Sequence, residues 1–378
     1  MSAPVYLDYN ATAPVRREAR AAIAAALEAG GNPSSVHGIG RAARGRVESA
    51  RAAVARAAGA GPEEVVFLSG GTEANALAFS MAGRRAVVIS PVEHDNVLAL
   101  AWARDKPPVL LPVDADGVVS LSGMEEALEG LCEPAFVSLM LANNETGVIQ
   151  PVREAAEIVH EHGGLMHTDA VQALGKIPVD FAGLGVDLMS LTAHKVGGPQ
   201  GTGALIMREG ISHAPLFIGG GQEQGRRAGT ENVAGIAGFA AAAEVAVGQL
   251  DIYAELAELR DGLERRLAEI APELRFFSAG AQRLPNTSCF ALAGLSAEIQ
   301  VMALDLAGIC VSSGAACSSG KVRPSHVLQA IGADEELARS ALRISLGWAT
   351  KPEDIDALIA AWSELYARSR HGAPEAAE

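Results

Sequence analysis

Lysine is scarce in this chain. Of 30 Lys and Arg only five are lysine: Lys106, Lys176, Lys195, Lys321 and Lys351. Nearly all fixed positive charge is therefore guanidinium, and an amine in an apolar setting points to chemistry that a guanidinium cannot perform. Cysteine is also sparse. The four, Cys132, Cys289, Cys310 and Cys317, form no CxxC and no Cys/His pairing at finger spacing, which argues against a disulfide framework and a zinc module. No metal site is expected. No stretch of roughly 18 uncharged apolar residues occurs, and the opening MSAPVYLDYN lacks a basic region followed by an apolar one, so no membrane association is expected. The chain reads as soluble and cytoplasmic. A net charge of −15 with no dense Lys/Arg block disfavours nucleic acid as a partner.

At 378 residues the length suits two or three domains with sizeable cores. Short apolar runs alternate with helical patterns. EVVFLSG, AVVISPV, PVLLPVD, AFVSLMLANN, GLMHTDA, DLMSLTAHK and TGALIMR read as strands, with TEANALAFSMAG, EHDNVLALAWARD and VREAAEIVHEHG as helices among them. Apolar runs without polar alternation, separated by helices, predict an α/β layer with a mostly parallel sheet covered on both faces. From Thr230 through AAAAEVAVGQL to RDGLERRLAEI the pattern is one or two long helices. Beyond it RFFSA, TSCFAL, SAEIQVMALDLAG, LRISLG and KPEDIDALIAAWSELYARSR read as a smaller α+β unit, and the tail HGAPEAAE as frayed.

In an open α/β sheet ligands bind at the carboxyl ends of the strands. The first run ends in Ser69-Gly70-Gly71-Thr72 and then a helix, an outline in which close backbone approach, helix-start amides and the Thr72 hydroxyl could hold a phosphate. A capped helix with a tight turn would look the same. This is neither GxGxxG nor GxxxxGK[ST], which speaks against NAD and ATP. Other strand ends supply His94, Asn144, Asp169 and Gln172, although a histidine or aspartate after a strand is also an ordinary helix cap. Lys195 follows Asp169 by about one strand-helix-strand unit, which places both on neighbouring strand ends.

A phosphate cradle, a carboxylate and an edge lysine make sense together around pyridoxal 5′-phosphate. A lysine amine condenses with an aldehyde, and partial burial keeps it nucleophilic. A carboxylate keeps the pyridine nitrogen protonated, so that the ring can act as an electron sink. A lysine snorkelling beside a loop is the bland alternative.

The segments HTDAVQALGK, LTAHKVGGPQGTGAL, GGGQEQGRRAGTENVAGI and SSGAACSSGKVRPSHVLQAIG, in this order, resemble the cysteine desulfurases of the NifS/IscS type, within the fold-type I pyridoxal-phosphate enzymes. The likeness runs from YLDYNATAP to LRISLG. It implies a large cofactor domain over 14–260, with a mostly parallel seven-stranded sheet between helices. It also implies a smaller domain made of 1–13 and 261–378 that carries a mobile cysteine loop. By this resemblance Lys195 is the Schiff-base lysine, Asp169 pairs with the pyridinium, Gln172 bonds the ring hydroxyl, and His94 stacks on the ring and moves protons. Gly71, Thr72, Thr192 and His194 hold the phosphate, and Thr230 reaches the partner subunit's phosphate in a homodimer. Asn144 lies beside substrate and cofactor, Arg343 clamps the carboxylate of L-cysteine, and Cys317 takes up the sulfur as a persulfide. That sulfur passes to an acceptor such as an iron–sulfur scaffold. Cys132, Cys289 and Cys310 are left as packing residues.

Two departures from the family pattern stand out. TAHK replaces the commoner SAHK, and Trp348 follows LRISLG where the family often has arginine. A pyridoxal-phosphate aminotransferase or a selenocysteine lyase would share Lys195 and Asp169, but a transaminase would not need Cys317. A non-enzymatic iron–sulfur scaffold would cluster its cysteines, and these four are scattered.

Overall fold

The computed structural model describes residues 4–83, 85–212, 215–314 and 324–370, with the backbone alone at 317–318, 321–322 and 371. The tail beyond residue 371 lies outside the described residues. Strand β1 (Val5–Tyr6) opens the chain, and β2 (Val65–Leu68), β3 (Val87–Ile89), β4 (Val109–Leu110), β5 (Phe136–Ser138), β6 (Leu165–Asp169), β7 (Leu188–Thr192) and β8 (Gly203–Met207) follow. β2 to β8 form one seven-stranded sheet in the order β2-β8-β7-β6-β5-β3-β4. All its strands run parallel except β8, which is antiparallel to both neighbours. Each of the seven apolar runs became one of these strands.

The period of two sorts these runs onto two apolar faces. Val65, Phe67, Val137, Met166, Met189, Ala204 and Ile206 pack against helices 17–29, 38–58, 121–129, 152–161 and 233–247. Val66, Leu68, Val87, Ile89, Phe136, Leu188, Leu205 and Met207 pack on the other face against helices 71–80 and 95–102. With both sides covered, neither face of these strands meets water, which explains the lack of alternation. The Ala-rich stretch forms two helices, Val233–Val247 and Leu250–Ile270, which meet at a bend of 64°.

The later chain contributes β9 (Arg275–Phe276), β10 (Thr287–Ala291), β11 (Ile309–Cys310), β12 (Ser312–Ser313), β13 (Cys317–Ser318), β14 (Lys321–Val322) and β15 (Ala341–Ser345). A second sheet has the order β12-β15-β10-β9, β1 pairs with β11, and β13 with β14. Phe290, Leu342, Ile344 and Trp362 share a core with Leu7 near the chain start. Because Leu342 and Ile344 face that core, Arg343 between them points to the opposite side. The N-terminal segment thus lies against the second sheet, with Asp8 bridging to Ser345.

One packing expectation is overturned. Cys289 is fully buried and Cys310 half-buried, but Cys132 is exposed. It falls in the turn after helix 121–129 and its C-cap Gly130, where the chain leaves the core.

Candidate active site

Asp169 is the last residue of β6 and pairs in register with Ser190 of β7. Its carboxylate is buried and doubly held: Oδ2 accepts from Asn75 Nδ2 at 2.9 Å and Oδ1 from the Val171 amide at 3.0 Å. Two residues earlier, the imidazole of His167 lies between Ser138 Oγ at 2.8 Å and Ser190 Oγ at 3.0 Å. Burial drives the His167 pKa down to about 4, against a smaller upward pull from Asp169. The ring beneath the carboxylate is therefore neutral at pH 7.

Lys195 closes a single turn after β7, at the strand end next to Asp169. Its amine donates to the backbone carbonyls of Asn10 and, at 2.8 Å, Ala11. Burial and the Arg343 guanidinium lower its pKa to about 8, while Asp8 and Asp169 pull upward. An ordinary lysine is overwhelmingly charged near neutrality. This one releases its proton readily, as a nucleophile must.

The loop after Lys195 is held by the residue that departs from the family pattern. Arg16 Nε donates to Val196 O at 2.9 Å, and its guanidinium stacks 3.7 Å over the Trp348 ring. A Cβ at Gly197, where φ is +87°, would lie 2.6 Å from Arg16 Cγ and 2.8 Å from Trp348 Cη2. Trp348 is the platform for this packing and does not line the cavity.

Helix 71–80 starts at Gly71, with Thr72 next in its first turn. A Cβ at Gly71 would meet Val171 Cγ2 at 3.0 Å, and one at Gly203 would meet Gly70 Cα at 2.7 Å. The backbone is thus drawn close where β2 ends and β8 begins. Thr192 and His194 border the same space. His194 Nδ1 lies 3.3 Å from Thr12 Oγ1, and burial with Lys195 nearby lowers its pKa to about 4. Glu73, the acidic residue of the first turn, is occupied by Arg227 at 3.0 Å and the Ser69 amide at 2.7 Å. Its charge is largely compensated, which leaves the helix start favourable to an anion.

Across the cavity His94 does two jobs. Its Nδ1 caps helix 95–102 by accepting from the Asn96 amide at 3.1 Å, so Nε2 carries the hydrogen and the ring borders the cavity. Arg343 Nη1 donates to Asn144 O at 3.2 Å and Nη2 to Asp8 Oδ1 at 2.9 Å, while its buried Nε has no partner among the described residues. Ser312 Oγ holds the other oxygen of Asp8 at 2.8 Å.

Gly71, Thr72, His94, Asn144, Asp169, Gln172, Thr192, His194, Lys195 and Arg343 all line one cavity of about 400 Å³, within the range of small-molecule sites. Thr230 does not join them. It is exposed and borders a second pocket with Arg227 and Asn232. Ser312 and Ser313 do line the cavity, and the β13–β14 hairpin follows them closely in sequence. The backbone of Cys317 pairs with that of Val322 there, and its thiol lies outside the described residues. Sequence reasoning missed Asn75, Asp8 and Asn10. Only Asn75 carried a readable signal, since it lies one turn beyond Gly71 on the same helix face.

The chain matches the aminotransferase class-V family model over residues 5–358. A cysteine desulfurase of Cereibacter sphaeroides is 44% identical over 99% of this chain and 98% of its own length. A NifS-like protein of Rickettsia africae superposes with a TM-score of 0.90 at 35% identity, covering 96% of this chain and 99% of that one. A protein named SspA, solved in complex with cysteine, gives 0.77 at 30% identity over 90% and 98% of the two chains. The chain belongs to the class-V aminotransferases. Within that family, the relatives it matches over nearly their whole length are named cysteine desulfurases.

Proposed function

We propose that the chain removes sulfur from L-cysteine with pyridoxal 5′-phosphate held at Lys195, and that the sulfur is received by Cys317. The observation that carries this reading is the pairing of an amine whose pKa is near 8 with a buried, doubly hydrogen-bonded carboxylate on the next strand end. The residues fit the cofactor at both ends. Gly71, Thr72, Thr192 and His194 border one space suited to an anion, and Asp169 would accept a pyridinium N–H. When bound, the cofactor supplies an aldehyde for an amine and a ring that accepts electrons.

The remaining work falls to the chain itself. Lys195, whose amine rests on the Asn10 and Ala11 carbonyls, would hold the cofactor through that amine. The same amine can move a proton at the substrate's α-carbon. His94 presents Nε2 to the cavity as a second proton carrier. The unpaired Nε of Arg343, with an adjacent Nη, binds the substrate carboxylate. Cys317, as a thiolate, takes the substrate sulfur. The balance is L-cysteine plus one Cys317 thiol giving L-alanine and one Cys317 persulfide, with the carbon–sulfur bond broken and a sulfur–sulfur bond formed.

The exposed Thr230 is read as serving the site of a second copy in a homodimer. The apolar Leu216, Phe217 and Ile218 are exposed on the same loop, which the Ala228 amide ties to Phe217 O at 3.3 Å. An iron–sulfur scaffold or another sulfur acceptor would unload Cys317, and free cysteines are in keeping with a reducing cytoplasm. The test counts products from L-cysteine. Cys317→Ser should abolish the protein persulfide and lower alanine formation at least ~100-fold. Unchanged alanine formation by that variant would sink the assignment and leave a lyase or transaminase reading in its place.

A further inference from the structure

Lys176 has no part in the reading above, yet it is 3% exposed and sits behind the cavity. Among the described residues its hydrogen-bond partners are two side-chain amides: Nζ donates to Gln172 Oε1 at 2.6 Å and to Asn10 Oδ1 at 2.7 Å. Burying an amine without a carboxylate partner is costly. A methionine or leucine would suit a position that only filled space. Burial, together with Lys195 and Arg343, pushes the Lys176 pKa well below that of an ordinary lysine. In either protonation state it keeps the two N–H bonds that these acceptors use.

Both acceptors belong to the site. Asn10 O receives the Lys195 amine and also Gln172 Nε2 at 2.9 Å. The Asn10 side chain is fixed by other contacts as well, donating to Thr287 Oγ1 at 2.9 Å and Asn144 O at 3.2 Å and accepting from Asn286 Nδ2 at 3.2 Å. It would keep its orientation without Lys176. Gln172 has less support, because among the described residues the partner of its oxygen is Lys176. An amide is nearly symmetric in shape and opposite in polarity at its two ends, so the end that faces a ligand oxygen decides between attraction and repulsion. With Oε1 held by Lys176 and one Nε2 hydrogen on Asn10 O, the second Nε2 hydrogen is left for the cavity that Gln172 lines.

We propose that Lys176 is a positioning residue that holds the Gln172 amide with its N–H, rather than its C=O, toward the ring oxygen of the cofactor. This rests on the pyridoxal-phosphate reading of the cavity. An N–H donor there stabilises the ring oxygen as an anion and lowers the pH at which the visible chromophore loses its proton. The other charged and titratable groups around the cavity, Asp8, His94, Asp169, His194, Lys195 and Arg343, are the same in every variant considered.

The test uses the full chain loaded with pyridoxal 5′-phosphate, without cysteine. It reads the pH midpoint of visible absorbance for the unmodified chain, Lys176→Met, Gln172→Leu and the double variant. Lys176→Met is expected to raise the midpoint by about one pH unit, a tenfold change in proton affinity. Gln172→Leu should do the same, and the double variant should match Gln172→Leu alone, because the lysine acts through the amide. An unmoved midpoint in Lys176→Met, or a shift that persists in full on the Gln172→Leu background, overturns the proposal. Lys176→Gln, which keeps one amide donor, covers the case in which methionine prevents folding. It should shift the midpoint upward by less, and a downward shift overturns the proposal. Borohydride trapping on Lys195 separates the two readings. No trapped cofactor in the unmodified chain defeats the cofactor assignment, whereas trapping with an unmoved midpoint defeats only the role of Lys176.

Discussion

Asp8 Oδ1 and Arg343 Nη2 stand 2.9 Å apart, joining the chain start to a strand 335 residues later. With Nη1 on Asn144 O, this pair fixes the guanidinium of a residue that lines the cavity, while the buried Nε has no partner among the described residues. The arrangement presents a planar donor with its orientation already set.

Arg343→Lys should therefore fail to substitute. A lysine offers a point charge without the fork that meets a carboxylate at two atoms. KM for L-cysteine is expected to rise ~30-fold or more, equivalent to ~2 kcal/mol, with kcat falling less. Steady-state kinetics check this. Asp8→Asn should raise KM by a smaller factor, because it loosens the guanidinium without removing it.

The Lys195 amine should react with aldehydes in a pH-dependent way set by its neighbours. Its pKa lies near 8, below the ordinary value, so the neutral amine dominates above that pH and reactivity falls about tenfold per unit below it. Arg343 lowers this pKa and Asp8 raises it. Arg343→Met should thus move the midpoint up and Asp8→Asn should move it down. Rates of reductive labelling at Lys195 in the cofactor-free chain measure both shifts, and equal directions would contradict the assignment.

Asn75 supports Asp169 by one hydrogen bond of 2.9 Å. Asn75→Ala removes that donor and leaves the Val171 amide, so the carboxylate keeps its place less firmly. Affinity for pyridoxal 5′-phosphate is expected to fall ~10-fold, about 1.4 kcal/mol, while the fold remains intact. Equilibrium dialysis together with a thermal melt distinguishes this from general destabilisation.

His167 makes the fold sensitive to acid. Its pKa is about 4 in the folded chain and about 6.5 when unfolded, so the unfolded chain binds more protons between those values. Stability therefore rises with pH across this window and is lost as pH falls through it. The loss due to this group is ~2 kcal/mol between pH 6.5 and 5. Denaturant midpoints at the two pH values should differ less in His167→Asn, whose amide can still bond the two serines.

Much of the large sheet was legible because both its faces are covered. Seven apolar runs then needed no alternation, and each turned up as a strand. Asp169 and Lys195 were readable for a related reason, since strand ends in a parallel layer converge on one edge. The exposure of Cys132 was not readable, because an apolar neighbourhood in sequence does not say on which side of a helix cap the chain turns outward. Trp348 looked like a missing positive charge, and the fold shows it as the ring on which Arg16 rests.

The amino-acid sequence alone determined the alternating layer, the amine and carboxylate at its edge, and the family pattern that joins them. These depend on local periodicity and on residues that act through their own chemistry. Only the tertiary structure decided what surrounds them. Asn10 meets Lys176 across 166 residues and Asp8 meets Arg343 across 335, contacts that exist only once the N-terminal segment lies between the two sheets. The polarity of one amide and the pKa of one amine are set by that docking, because burial and neighbouring charge belong to positions in space rather than in sequence.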